Sequence, residues 1–170
     1  DNQAIWIDNI DPFVQKIADK YQIISGEVGL GYENFAHSLF NAFEKSEFVT
    51  FDYGDIAPRN DISMRIYSKH KTYPFFDEEA DLAALYANSD ITYDVHFGHL
   101  IDAFKECGYT HDKYLTQLAA LTDFGITELL EVLEKNVDHK VYLKEVGKVK
   151  TLLNPAFLGE RFKMVNFTKF

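Results

Sequence analysis

Three groups of residues have the types and spacing from which chemistry could be built. Glu27-Val28-Gly29-Leu30-Gly31 has the E-x-G-x-G form of a nucleotide loop. Glycines there would let the backbone approach a ligand, and Asp52, at the end of the next apolar run, could accept hydrogen bonds from ribose hydroxyls. The preceding segment, Gln22 to Ser25, is short for the strand such a loop needs, so Gly29 and Gly31 rank as an alternative cofactor site only. Asp94, His96 and His99 form D-x-H-x-x-H, with Asp61 or His70 as the further ligands a metal would require. Scattered His and Asp seldom meet a coordination geometry, so these read more simply as a strand end, a helix cap and a solvated first turn, and no metal is expected. Cys107, the single cysteine, precedes Gly108 with no His or Lys beside it in sequence to activate a thiolate, and is read as a small apolar group.

The remaining charged clusters have plain readings. Asp77, Glu78, Glu79 and Asp81 suit the first turn of a helix, where the dipole favours acids. Glu128, Glu131, Glu134 and Lys135 suit an outer helical face.

These residues need elements to hold them. Ala4 to Ile7 reads as a strand, and a chain that opens inside one is expected to be a fragment or a processed product. Asp11 and Pro12 form a helix entrance, with Phe13, Ile17 and Tyr21 on one face. From Tyr32, the positions Phe35, Ala36, Leu39, Phe40 and Phe43 make a helical stripe. Glu47 to Tyr53 reads as a central strand, apolar on both faces and ended by Gly54. Asp55 to Tyr73, with Pro58, Asn60 and Asp61, is expected to be a long loop. Ala80 to Ala87 is weakly helical and Ile91 to Val95 is extended. Phe97, Leu100, Ile101 and Phe104 mark a helix closed by Gly108. Leu115, Leu118, Ala119 and Leu121 begin a helical stretch interrupted at Gly125. Helices over Thr127 to Asn136 and Lys140 to Leu153 precede a last strand, Arg161 to Phe170.

The chain has 170 residues, 46% of them hydrophobic, which implies a single domain over 1–170 with a real core. Its 27 acidic residues outnumber 17 basic ones, a net charge of −10. With the basic residues scattered, the chain is not expected to bind nucleic acid. No run of about 18 apolar residues suggests a membrane span. A lone cysteine fits a reducing compartment, and the cytoplasm is expected. Aromatics reach 15%, with 15 Phe and 10 Tyr, enough for a dense core and for a face that a partner or second copy would cover.

Several blocks occur in order along the chain: Asp52-Tyr53-Gly54, then Asn60-Asp61-Ile62-Ser63 with Arg65, then Asp90-Ile91-Thr92-Tyr93-Asp94-Val95-His96-Phe97. Thr116-Gln117 and Phe124-Gly125-Ile126 follow, and the series ends in Leu153-Asn154-Pro155-Ala156-Phe157-Leu158-Gly159-Glu160-Arg161-Phe162-Lys163. Together they resemble the MidA family of S-adenosylmethionine-dependent methyltransferases, most firmly from Glu47 to Lys163. His96 departs from the pattern, since the family usually has Asp there.

The resemblance implies the C-terminal half of such a protein. The fold expected is α/β, the C-terminal part of a Rossmann-like class I methyltransferase sheet with additional helices. S-adenosylmethionine is implied for the full-length parent, with no cofactor for this chain alone. The implied activity is methylation of a protein acceptor; a mitochondrial relative is associated with arginine methylation and complex I assembly. Asp52, Tyr53 and Gly54, at the carboxyl end of a strand, together with Asn60, Asp61 and Arg65, are the expected substrate-binding residues, because a carboxylate can orient a guanidinium through paired hydrogen bonds. The alternative is a non-catalytic interaction or oligomerisation module.

Overall fold

The computed structural model describes residues 7–69, 71–77, 81–85 and 87–170. The strand expected at Ala4 to Ile7 lies outside this set except at Ile7, as do His70, Glu78 and Glu79. In chain order the elements are α1 (Pro12–Tyr21), α2 (Tyr32–Ala42), β1 (Ser46–Asp55), β2 (Arg65–Ser68), β3 (Lys71–Pro74), α3 (Leu82–Leu85), β4 (Asp90–Thr92) and β5 (Val95–His96). They continue as α4 (Phe97–Cys107), β6 (Thr110–Thr116), α5 (Gln117–Asp123), α6 (Ile126–Asn136), α7 (His139–Leu153), a π turn at Pro155–Gly159 and β7 (Phe162–Lys169). They form two compact units, Asp1–Tyr32 with Asp55–Leu100 and Glu33–Gly54 with Ile101–Phe170.

In the first unit, α1 begins as its sequence dictates. The Asp11 carboxylate accepts from the Phe13 amide at 2.7 Å and Pro12 takes the first helical position, which satisfies an otherwise orphaned donor. Ile17 is buried. The segment expected to be a long loop contains β2 and β3, which form an antiparallel sheet with β4 in the order β3-β2-β4. Four-residue strands in which only Ile66 is buried leave almost no period-2 signal to read. Gly98 meets a close backbone approach: a Cβ there would lie 2.4 Å from the Ile56 carbonyl oxygen.

In the second unit, β7 lies between β1 and β6 and is antiparallel to both. β1 was expected to be the strand buried on both faces, yet it is only half-buried or exposed along its length, whereas β7 buries Met164, Val165 and Phe167. β1 also runs through Gly54 to Asp55. β6 occupies residues where a helix was expected to start. Its Leu115 belongs to the strand, and Thr116 caps the helix that follows through Oγ1, which accepts from the Ala119 amide. The core is aromatic. The Phe104 and Phe167 rings stack with centroids 4.1 Å apart, Phe48 stacks on Phe104 at 5.3 Å, and Phe35 meets both Phe48 and Phe104 edge-on.

After α7 the chain passes through the π turn at Pro155–Gly159 into β7. Asn154 Oδ1 accepts from the Ala156 amide at 2.9 Å, and its carbonyl accepts from the amides of Phe157 and Gly159. A Cβ on Gly159 would lie 2.3 Å from the Leu153 carbonyl oxygen, whereas a Cβ on Gly147, within α7, would meet nothing within 4 Å. Gly159→Ala is therefore expected to lower the unfolding free energy by about 1–3 kcal/mol through overpacking. Gly147→Ala should raise it by about 0.5–1 kcal/mol because alanine is the better helix former. Urea denaturation of both variants checks the opposite signs.

Candidate functional site

Within the first unit a polar network joins residues distant in sequence. Glu27 Oε1 accepts from the backbone amides of Ser63, at 2.6 Å, and Met64. The Ser63 hydroxyl donates to the same oxygen and accepts from the Asp94 amide at 2.8 Å. The two oxygens of Asp94 each take one guanidinium, Arg65 at 2.7 Å and Arg59 at 2.8 Å. Ser63 is buried, so an unanswered amide here would carry a full desolvation penalty, and the Glu27 carboxylate removes it. Two carboxylates and two guanidiniums balance in charge.

Asn60 and Asp61 shape the adjoining loop. Asn60 has a left-handed backbone, φ 53°, and its Oδ1 accepts from the Ile24 amide at 2.7 Å. Asp61 Oδ1 accepts from the Ile62 amide at 2.8 Å. Of the residues expected to bind substrate from this loop, Arg65 is committed to Asp94, while Asn60 and Asp61 hold backbone.

The D-x-H-x-x-H run is divided between two tasks. Asp94 faces the arginines, whereas the imidazoles pack on tyrosine rings. Tyr21 meets His96 edge-on at 4.7 Å and His99 at 5.3 Å, and Tyr32 meets His99 at 5.0 Å. His99 is buried. Among the described residues, no group of three His, Cys, Asp or Glu could hold a metal ion. His96, where the sequence departs from the MidA pattern, thus helps join α1 to the start of α4.

The E-x-G-x-G segment is engaged in contacts within its own unit. Residues 22–25 form no strand, and the Glu27 carboxylate is occupied by Ser63 and Met64. A Cβ on Gly29 would fall 2.6 Å from the ring of Tyr32, while one on Gly31 would meet nothing within 4 Å. Gly29 makes room for the ring of Tyr32.

Asp52, Tyr53 and Gly54 lie in the second unit, in the last residues of β1. The register sets Asp52 opposite Lys163 and Tyr53 opposite Phe162. Asp52 Oδ1 accepts from the Tyr53 amide at 2.8 Å. Phe162 meets the Tyr53 ring edge-on at 5.2 Å, and the Arg161 guanidinium lies 5.4 Å from its centroid, a cation–π distance. The two halves of the expected substrate set therefore belong to different units, Asp52 to Gly54 in one and Asn60, Asp61 and Arg65 in the other.

Cys107 differs from its expected isolation. His37 Nδ1 is 3.3 Å from its sulfur, although the two residues are 70 apart in sequence. Burial pushes the thiol pKa up, and Lys169 pulls it the other way with smaller effect. No sequence signal pointed to this pairing or to the Glu27–Ser63 contact, because each joins segments that only the fold brings together.

No protein-family model and no curated protein matches the chain. Solved structures do. An uncharacterized COG1565 superfamily protein of Burkholderia thailandensis superposes with a TM-score of 0.79 at 20% identity, covering 96% of this chain and 45% of that one. A second COG1565 superfamily member of the same organism, described as a "likely methyl transferase" bound to S-adenosyl-homocysteine, gives a TM-score of 0.69 at 21% identity over 90% of this chain and 41% of that one. At such identities the likeness is one of fold, and the α/β, methyltransferase-like architecture expected above is the one observed. The chain spans less than half the length of either structure.

Two measurements check the local chemistry. Glu27→Ala should destabilise the first unit by about 1–3 kcal/mol, with faster hydrogen exchange at the Ser63 and Met64 amides. Since a raised pKa leaves less thiolate at neutral pH, Cys107 should react with iodoacetamide at pH 7.5 more slowly in the native protein than in urea.

Proposed function

We propose that the chain is the acceptor-side, C-terminal half of a MidA-like protein methyltransferase that uses S-adenosylmethionine and acts on arginine in an acceptor protein of the cytoplasm. The observation that carries this reading is coverage. Nearly the whole chain matches less than half of a protein solved with the demethylated donor, S-adenosyl-homocysteine. The absence of a strand over residues 22–25 before Gly29 and Gly31 supports the same division of labour, with the donor pocket in sequence outside this chain.

Methyl transfer asks a protein chiefly to align the acceptor and exclude water. In this reading the contribution of the chain is alignment. Asp52, near the carboxyl end of β1, offers a carboxylate to a guanidinium, and Tyr53 offers an aromatic face of the kind already packed against Arg161. Among the described residues no helix is long and apolar enough to cross a membrane. A purely interacting module is the second reading, favoured by the many large apolar side chains left exposed, such as Leu129 and Phe157 at 62% each.

Calorimetry and methyl-transfer assays test the proposal. The chain alone should give no binding heat with S-adenosylmethionine, and a longer polypeptide that also carries a donor pocket should bind it and methylate an arginine peptide. In that polypeptide Asp52→Ala should lower kcat/KM about tenfold or more, the loss of roughly one charge-assisted hydrogen bond. Tight donor binding by the chain alone, or unchanged acceptor kinetics in the Asp52 variant, would overturn it.

A further inference from the structure

In the second unit α5, α6 and α7 pack on one another, yet neither α6 nor α7 contains a fully buried residue. Each has an inner stripe at helical spacing, Ile126, Leu130 and Leu133 on α6 and Tyr142, Val146, Val149 and Leu153 on α7, all half-buried. Apolar residues continue outside those stripes. Leu129 and Val132 are 62% and 56% exposed, and Val141 and Leu152, three turns apart on one line of α7, are both 41% exposed. Single exposed apolar residues are ordinary, but two helices in contact that both carry apolar residues beyond their inner stripes offer apolar surface of the kind that serves an interface.

Charge indicates what covers it. α6 bears three glutamates, Glu128, Glu131 and Glu134, against one lysine, Lys135, whereas α7 bears four lysines, Lys140, Lys144, Lys148 and Lys150, against one glutamate, Glu145. Apart from Glu145, which pairs with Lys148, all of these residues are exposed. A hairpin with one acidic and one basic helix is complementary to itself after a twofold rotation. The acidic helix of one copy then meets the basic helix of the other, twice over, with the apolar residues between. We propose that the α6–α7 hairpin is the surface through which two copies of this chain form a twofold dimer. The proposal stands independently of the methyltransferase reading.

Charge reversal tests it. By sedimentation equilibrium in low salt the chain should weigh twice its 19.6 kDa, and the dimer should weaken about tenfold or more in roughly 0.5 M salt, where exposed charges are screened. The triple variant Glu128→Lys, Glu131→Lys, Glu134→Lys and the triple variant Lys140→Glu, Lys144→Glu, Lys148→Glu should each be monomeric with native circular dichroism. An equimolar mixture of the two should regain the dimer mass, which requires both variants to be folded. A wild-type chain that stays monomeric at high micromolar concentration overturns the proposal regardless of the variants. So does a folded variant that stays dimeric, or a mixture of folded variants that does not assemble.

Discussion

The second unit depends on one cross-strand contact, Phe48 on β1 opposite Phe167 on β7. Their rings lie 12° from parallel, and Phe104 of α4 stacks on both. Phe104 and Phe167 are fully buried, so each contributes about 1.5–3 kcal/mol by leaving water, and each stacked pair roughly 0.5–1.5 kcal/mol more. The larger consequence is register. A slip of one residue would turn every inward side chain of β7 outward, and the aromatic stack forbids it. With that register held, Asp52 is opposite Lys163 and Tyr53 opposite Phe162, so the geometry at the end of β1 follows from a contact several residues away.

Two motifs prominent in the sequence turn out to be governed by packing. N-P-x-x-L-G-E-R-F-K is a π turn built from an Asn cap, a proline in the first turn and a glycine pressed against the Leu153 carbonyl. Its Arg161 and Phe162 then rest on Tyr53, and the Lys163 ammonium returns to the Glu160 carbonyl. E-x-G-x-G likewise serves the first unit itself, its glutamate holding two amides and its first glycine admitting the ring of Tyr32. In both runs a glycine makes room for a neighbouring group. The arginines near Asp94 follow the same logic, since two guanidiniums on one carboxylate make a strut.

Net charge conceals a division within the chain. At −10 overall the molecule is acidic, yet α7 is a basic helix beside the acidic α6. Electrostatics at that hairpin is thus set by which helix is read, and its apolar flanks give the charges something to orient. A bulk figure says nothing about how a second copy of the same chain would meet that hairpin.

The long helices and the two aromatic strands were readable from residue order because their signals are local. Asp11-Pro12 caps one helix, stripes at three and four define the others, and Phe-rich runs mark β1 and β7. β2, β3 and β6 were not readable, for β2 and β3 have four residues each, β6 is largely polar, and all three are held by partner strands. The same boundary runs through the candidate site. That Asp52 and Tyr53 lie late in a strand was legible, though the strand runs on through Gly54 to Asp55; the pairing of Glu27 with Ser63, of Asp94 with two arginines and of Cys107 with His37 was not. Local periodicity and capping chemistry are properties of neighbouring residues and reside in the sequence alone. Contacts between residues 29 to 70 positions apart exist only once burial has chosen which distant segments meet, and that choice belongs to the tertiary structure.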